Sequence, residues 1–484
     1  MPTLKIDTAI YCFVLLLVSF GVVQAQPKSD SPDTIPPEAP IFEVHSVSIN
    51  KIQKEYDGQW QGITVASDGN CYFSSSTHSI AHGAGFHRFN PTTREHTVLA
   101  DDMTIVCGEE NTDSQQGKIH SPIVELDGWL YFTTHLSNYW KEGIENYTGA
   151  HVMGYQMATG KFRDLGIVRP RYSIYSAINV DPIRKKLYVF VAPFTEETKS
   201  TDGCHLYSVD IATGEKKDLG QLTKNTSGAS LWFFIDHRGN CWFTLWKGHY
   251  QYTYDRGNLY CYRPDTDQIE TYEDVLPTGQ FIDATPVTEE RLYQERAWTW
   301  VRAFPDQKKC YFTMGTWGGG DERLWIFDPS KDITSGAAFQ PVASIGSTFL
   351  QNDIGGDRLY FVQYADLQDE RDLDSENERD RDPDEVGYDE SLHLRSVSLT
   401  DGMEQAVKDH GKIVDQDGRA ARFINSLAAD EQGRVYMYGS WYVQSPQEAT
   451  LQYQWIDHPN GNVFKLLKRG EFFAFADATV GDAE

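Results

Sequence analysis

No long stretch of this 484-residue chain places apolar residues at i, i+3, i+4 and i+7, so regular helices are scarce and the chain reads as all-β. Cations are also short: Lys and Arg total 43 against 70 Asp and Glu, a formal net charge of -27. A phosphate-binding surface needs clustered cations, which excludes nucleic acid as a partner. The same excess repels an acidic polymer at long range. Salt screens that field within about 10 Å at ~0.1 M, so a local cationic pocket can still capture an anion. No Cys-x-x-Cys occurs, which argues against a zinc ribbon. Also missing are a Gly-x-Ser-x-Gly elbow, an HExxH helix, a Walker loop and a dinucleotide fingerprint. The glycine-rich GTWGGGDERLW lies between two expected strands, which makes it a hairpin loop and not a phosphate cradle.

What the chain has instead is a repeated phrase: a short apolar strand, a turn of the Asp-Gly or Arg-Gly-Asn kind, then an aromatic-rich strand. Copies begin near Gln61, His120, Tyr175, Leu231, Trp300, Phe349 and Phe423, as in GITVASDGNCYFSSS and WFFIDHRGNCWFTLW. Most intervals fall at roughly 50 to 60 residues, a period of stacked blades. One small sheet cannot bury both faces alone, so blades pack around an axis. The expected fold is an all-β, seven-bladed β-propeller of four-stranded antiparallel blades, a single domain over residues 41–484. Outer strand pairs follow several copies, as in HVMGYQMATGKFRDLG and HLYSVDIATGEKKDLG. Ile41 to Ile49 alternates like a strand and is expected to close the last blade against C-terminal strands. An acidic insertion, Asp366 to Ser391, separates the second and third strands of the sixth copy. Its carboxylates offer calcium ligands, but the Asp-x-Asp-x-Asp-Gly spacing is missing, and a solvated loop is the better reading.

Residues 1–25 read as a secretory signal: Lys5 is the positive start, Ala9 to Val23 the apolar run, and Val23-Gln24-Ala25 precedes the cut. Residues 26–40 form a Pro/Ser/Asp-rich linker. The apolar run is too short for a confident membrane span, so the expected location is secreted or periplasmic, without stable membrane insertion. Export allows disulfides among Cys71, Cys107, Cys204, Cys241, Cys261 and Cys310, and Cys241 with Cys261 is the best candidate pair. Against this, Cys71, Cys241 and Cys310 each open an aromatic strand, where a free thiol packs as a small hydrophobe.

In an antiparallel blade, the start of the first strand and the end of the second share one rim. First-strand starts offer Trp60, Gln61, Lys118, His120, Arg171, Tyr172, Tyr175, Trp232, Trp298, Trp300, Arg302, Gln351, Arg422 and Asn425. Second-strand ends offer Thr77, His78, His135, Pro193, Lys247, His249, Trp317, Tyr364, Trp441 and Tyr442. Cations, imidazoles, phenols and indoles abound there, and carboxylates are almost absent. Such a funnel suits an anionic ligand with flat faces, such as an acidic sugar. His120 and His135 are the sharpest pair, because strands about 4.8 Å apart let both work on one substrate or ion. An imidazole-only metal site lacks a carboxylate partner, and no acid pair serves ordinary glycoside hydrolysis.

An acidic polysaccharide can be cut without water, by β-elimination. A base removes the C5 proton of a uronate and the C4–O4 bond breaks, once a cation has neutralised the carboxylate. The catalytic candidates are His120, His135, Tyr175 and His249; the substrate-binding candidates are Lys118, Arg171, Tyr172, Trp232, Lys247, Trp300, Arg302 and Arg422. IHSPIVELDGWLYFTTHLSNYW and YSIYSAINVDP resemble the secreted β-propeller polysaccharide lyases, in particular the ulvan lyases of marine bacteria. The resemblance implies elimination on a sulfated rhamnose–uronate polymer by His and Tyr with a charge-neutralising Arg. By position His120 and His135 match the family's paired histidines, and Tyr175 or Tyr172 its tyrosine. Where the arginine is expected this chain has Val191-Ala192-Pro193, so Arg171, Arg302 or Lys247 must substitute. The resemblance leaves a structural calcium or zinc ion open, while the chemistry itself requires no cofactor. The expected partner is an acidic polysaccharide, bound by a monomer. The alternative is a non-catalytic propeller that binds glycan or protein, and a metal-dependent lactonase-type propeller would need axial Glu, Asn and Asp ligands that the rim lacks.

Overall fold

The computed structural model describes residues 40–109, 114–139, 141–174, 178–223, 232–245, 257–277, 297–316, 319–320, 323–345, 351–364, 392–399, 407–453, 464–467 and 469–478. The signal segment, all but the last residue of the linker and the acidic insertion lie outside these residues. Helix is confined, among the described residues, to Met103–Val106, Lys141–Glu145 and Glu196–Thr201. None of these is long and apolar enough to cross a membrane.

Five sheets have the four-strand path of a propeller blade, and short extra strands join three of them. The first contains Cys71–Thr77, Gly85–Asn90 and Glu95–Ala100, entered through Tyr56–Gly58 and Ile63–Val65. The second runs from Val124–Leu126 to Lys161–Ile167, and the third from Tyr172–Ser173 to Lys216–Gln221. The fourth runs from Phe234–Ile235 to Gln268–Tyr272, and the fifth from Trp298–Ala303 to Phe339–Ser344.

The expectation of seven separate four-stranded blades is overturned here. The last two sequence copies merge into one eight-stranded sheet, so the propeller has five small blades and this larger sheet. The joint is Ile41–Ser48. Its first half pairs parallel with Lys408–Asp415, with Ile41 against Lys412. Its second half pairs antiparallel with Arg469–Asp477, with Ser48 against Phe472. An edge strand presents unpaired backbone groups, and one long strand here satisfies two edges at once. Its pairing with the C-terminal strand follows the sequence reading; its parallel pairing does not.

Each copy carries its own turn chemistry. Asp127 and Gly128 both take positive φ, the two-residue hairpin turn that lets Val124–Leu126 fold back on Trp129–Thr133. At wider turns one Asp holds the loop and the next aromatic together. Asp68 accepts from the Tyr72 hydroxyl at 2.9 Å, Asp236 from Trp242 Nε1 at 2.9 Å, and Asp430 from the Tyr436 hydroxyl at 2.9 Å. The recurrence of Asp before an aromatic strand therefore reflects a turn anchored to a buried ring.

The outer strand pairs repeat a second device. His151, His205 and His393 each place Nδ1 2.9 Å from an Asp of the neighbouring strand, namely Asp164, Asp218 and Asp409. Two residues on, Gly166, Gly220 and Gly411 donate to the same Asp while their positive φ forms the bulge. His151 carries a second carboxylate, Glu109, 3.0 Å from Nε2. Burial lowers its pKa, but the two carboxylates outweigh this and push it up to about 9. A raised histidine pKa adds stability that is complete below the unfolded value of 6.5 and lost as pH rises through about 9. The stability advantage of the native chain over His151→Gln should accordingly shrink between those values in urea titrations. A gap that is constant with pH would contradict the charged bridge.

All six described cysteines are free thiols and buried. Cys241 pairs with Tyr262 and Cys261 with Trp242, so the two sulfurs lie on opposite faces of the sheet and cannot bridge.

Candidate active site

Lys118 and His135 form an antiparallel bridge, Lys118 N donating to His135 O at 3.1 Å and His135 N to Lys118 O at 2.8 Å. Gly117 makes this possible: its carbonyl accepts from Thr77 N at 2.8 Å, and a Cβ there would lie 2.1 Å from the Ser137 Cβ. The rings of His120 and His135 lie edge to face with centroids 5.2 Å apart. Trp60, from the first blade, stacks flat on His120 at 4.8 Å, and His78 meets the edge of Trp60 at 5.8 Å. His78 is held by Asp57, Nδ1 to Oδ2 2.8 Å, and its carbonyl accepts from Asn138 Nδ2 at 2.8 Å.

His135 is held at both ring nitrogens. Ser173 Oγ lies 2.6 Å from Nδ1 and the Tyr139 hydroxyl 2.7 Å from Nε2. A neutral imidazole donates through one nitrogen and accepts at the other, so one hydroxyl gives a proton and the other takes one. Lys118 Nζ sits 4.1 Å from the Tyr139 ring centre and donates to Ser137 O at 2.6 Å. Phe194 packs 5.4 Å from His135 and closes the side toward the third blade.

The electrostatics follow from burial. His120 is 3% exposed and His135 and Lys118 are 0% exposed, while Trp60 and Tyr139 are half-buried above them. Burial, then the neighbouring cations, hold both imidazoles well below the usual histidine range. Burial also lowers Lys118 to about 7, with Asp57 partly opposing. Near neutral pH the cluster thus holds two neutral imidazoles and an ammonium close to its midpoint, a set able to move protons.

Other expected site residues lie elsewhere. Tyr172 turns away from the histidines: its hydroxyl donates to Asp202 Oδ2 at 2.6 Å, and Arg169 lies 4.2 Å over its ring. The next residue, Ser173, faces His135, which settles the strand parity against Tyr172. Arg171 pairs with Glu145 at 3.1 Å and Glu197 at 2.5 Å. Trp232, Trp300 and Arg302 form a separate group, with Arg302 3.9 Å and 4.8 Å over the two indoles and its Nε 2.8 Å from Asp353. Arg422 lies 5.2 Å over the Tyr442 ring. Tyr175, Lys247 and His249 lie outside the described residues.

Tyr139, Ser173 and Asp57 escaped the rim survey. Tyr139 follows the strand end by four residues, and Asp57 precedes the first repeat. Asp57 gives the cluster a carboxylate that the sequence survey did not find. Among the described residues, no three His, Cys, Asp or Glu side chains group as a metal ion requires.

No protein-family profile matches the chain, and no curated protein does. Solved structures resemble it distantly. Oligogalacturonate lyase from Vibrio parahaemolyticus is 11% identical over 89% of this chain and 90% of its own, with a TM-score of 0.43. The GH74 enzyme of Niastella koreensis is 10% identical over 82% of this chain and 52% of its own, at 0.46. The Cps50 (Swd1) β-propeller domain of Myceliophteria thermophila is 8% identical over 89% and 98%, at 0.43. Likenesses this distant decide nothing about chemistry.

Proposed function

We propose that this chain is a polysaccharide lyase that cleaves a sulfated, uronate-containing polymer such as ulvan by β-elimination. The observation that carries the reading is the cluster of His120, His135, Lys118 and Tyr139, which joins imidazoles, an ammonium and a phenol within hydrogen-bond and ring-contact distance. Asp57 is tied to His78, and hydrolysis by two free acids finds no support there.

In this reading Tyr139, half-buried as a residue, is the group that meets the sugar, and His135 at 2.7 Å stands behind it. With Nδ1–H directed at Ser173, His135 Nε2 takes the Tyr139 proton, and the phenolate removes the C5 proton of the uronate. The released electron pair forms the C4–C5 double bond, the C4–O4 bond breaks, and O4 takes a proton. Tyr139–His135, Tyr175 or His249 supplies it. The ammonium of Lys118 beneath the Tyr139 ring favours the phenolate, and Trp60 offers a stacking face. Arg171 and Arg302 are already paired with carboxylates, which leaves Lys247 to neutralise the uronate.

Incubation with ulvan, polygalacturonate, alginate and chondroitin sulfate, followed by ultraviolet absorbance of unsaturated uronate, tests the reading. A rise with ulvan is expected. The depth of both imidazoles favours a second reading, a propeller that only binds glycan through Trp60 and Tyr139. Binding without any rise in absorbance would select it.

A further inference from the structure

Three neighbouring strands at one edge of the eight-stranded sheet, Ala421–Ala429, Arg434–Tyr442 and Arg469–Asp477, bring two arginines to one tyrosine. Tyr442 stands directly opposite Arg469, which puts both side chains on one face of the sheet. Arg422 is the extra residue of a bulge, since Ala421 pairs with Trp441 and Phe423 with Ser440. A bulge re-aims its side chain, and the Arg422 guanidinium lies 5.2 Å over the Tyr442 ring.

Arg469 is 8% exposed, its Nε is buried without a hydrogen-bond partner, and no ion pair holds it among the described residues. Arginine cannot shed its proton, so a buried guanidinium left unpaired is costly. The nearby carboxylates do not close this gap. Glu448, on the loop after Tyr442, pairs with Lys51 at 2.6 Å and Arg419 at 2.9 Å. Glu471 lies two residues on along the same face, opposite Ser440, and forms no ion pair with Arg469. Burial and then the Glu471 charge hold the Tyr438 hydroxyl above its ordinary range. Hydrogen bonds tie the place to the histidine cluster. Thr450 donates through N to Arg469 O at 2.9 Å and through Oγ1 to Asn50 Oδ1 at 2.8 Å. Asn50 Nδ2 in turn donates to the carbonyl of Tyr56 at 2.7 Å, next to Asp57. Arg469 thus neighbours the Asp57–His78 side of the cluster, without contact to it among the described residues.

We propose that Arg469, with Arg422 and Tyr442, forms an oxyanion subsite that holds the carboxylate or sulfate ester of an acidic sugar away from the bond that is cut. The choice of a sugar rests on the polysaccharide reading; the choice of an anion rests on Arg469 itself. A guanidinium presents a planar fork that meets either oxyanion through two parallel hydrogen bonds, and Arg422 adds charge across the ring. A neutral sugar would leave the buried charge unpaired.

Thermal melting and calorimetric titration of the full chain test this at fixed ionic strength. The probes are a galacturonate trisaccharide, a sulfated galactose trisaccharide and an uncharged galactose trisaccharide. A charged probe is expected to bind and to raise the melting temperature, and the tighter of the two names carboxylate or sulfate. Arg469→Met should bind it at least about tenfold more weakly. Without ligand this variant should melt no lower than the native chain, because it loses an unpaired buried charge. Arg422→Gln, at a half-exposed position, should weaken binding too while the fold is kept. None of these readouts needs turnover, so a chain that binds through Arg469 yet cuts nothing loses the lyase reading and keeps the subsite. No binding of either charged probe, or equal affinity in the native chain and both variants, would overturn the assignment. So would a lower melting temperature of ligand-free Arg469→Met, which would show that the chain itself already satisfies the guanidinium.

Discussion

His135→Gln and Tyr139→Phe should each lower turnover of the uronate polymer by about 10² to 10⁴-fold, the usual span for loss of a proton-transferring group. The effect follows from one hydrogen bond, the 2.7 Å contact between Nε2 and the phenol, and from the neutrality that burial imposes on the ring. Glutamine keeps polar atoms for Ser173 and Tyr139 but cannot exchange a proton at neutral pH. Thermal melting should therefore stay close to that of the native chain while kcat falls and KM holds. Tyr175→Phe belongs beside these variants: if it alone abolishes turnover, the reacting phenol is Tyr175 and not Tyr139. Full activity in His135→Gln with a folded chain would remove the cluster from the chemistry altogether.

Phe473→Ala should cost about 3–5 kcal/mol of stability, the range for deleting a buried aromatic ring. Phe473 is 0% exposed and stacks on Phe73 at 4.4 Å and against Phe89 at 4.8 Å. Both partners belong to the first blade, while Phe473 sits in the eight-stranded sheet opposite Val47. The ring thus joins the two ends of the propeller, where no hairpin does so. Ile183→Ala, at a side chain 57% exposed, is the matched control and should stay within about 0.5 kcal/mol. Urea titrations that give similar losses for both variants would show that this stack does not close the ring.

The repeated phrase made the fold legible because each copy encodes its own hairpin. Asp127-Gly128 and the aspartates at 68, 236 and 430 act within a few residues of themselves, and such local rules can be read directly. The blade count failed for the opposite reason. Ser46 meets Gln416 across 370 residues of chain, and no local signal announces that Ile41–Ser48 will pair on both sides. The site divides in the same way. His120, His135 and Lys118 came from strand register alone. Ser173 was hidden by a one-residue parity that reads Tyr172 as well as its neighbour. Tyr139 was hidden because it reaches His135 from the loop after the strand. Arg302 looked like a cation awaiting a carboxylate, and Asp353 already provides one.

The most direct test of the elimination reading is digestion of ulvan in heavy-oxygen water, with the product oligosaccharides weighed by mass spectrometry. Elimination gives new ends one water lighter than hydrolysis products, with no heavy oxygen taken up. Products that carry the heavy oxygen, at the full hydrolytic mass, would contradict the proposed chemistry at the His120–His135–Tyr139 cluster.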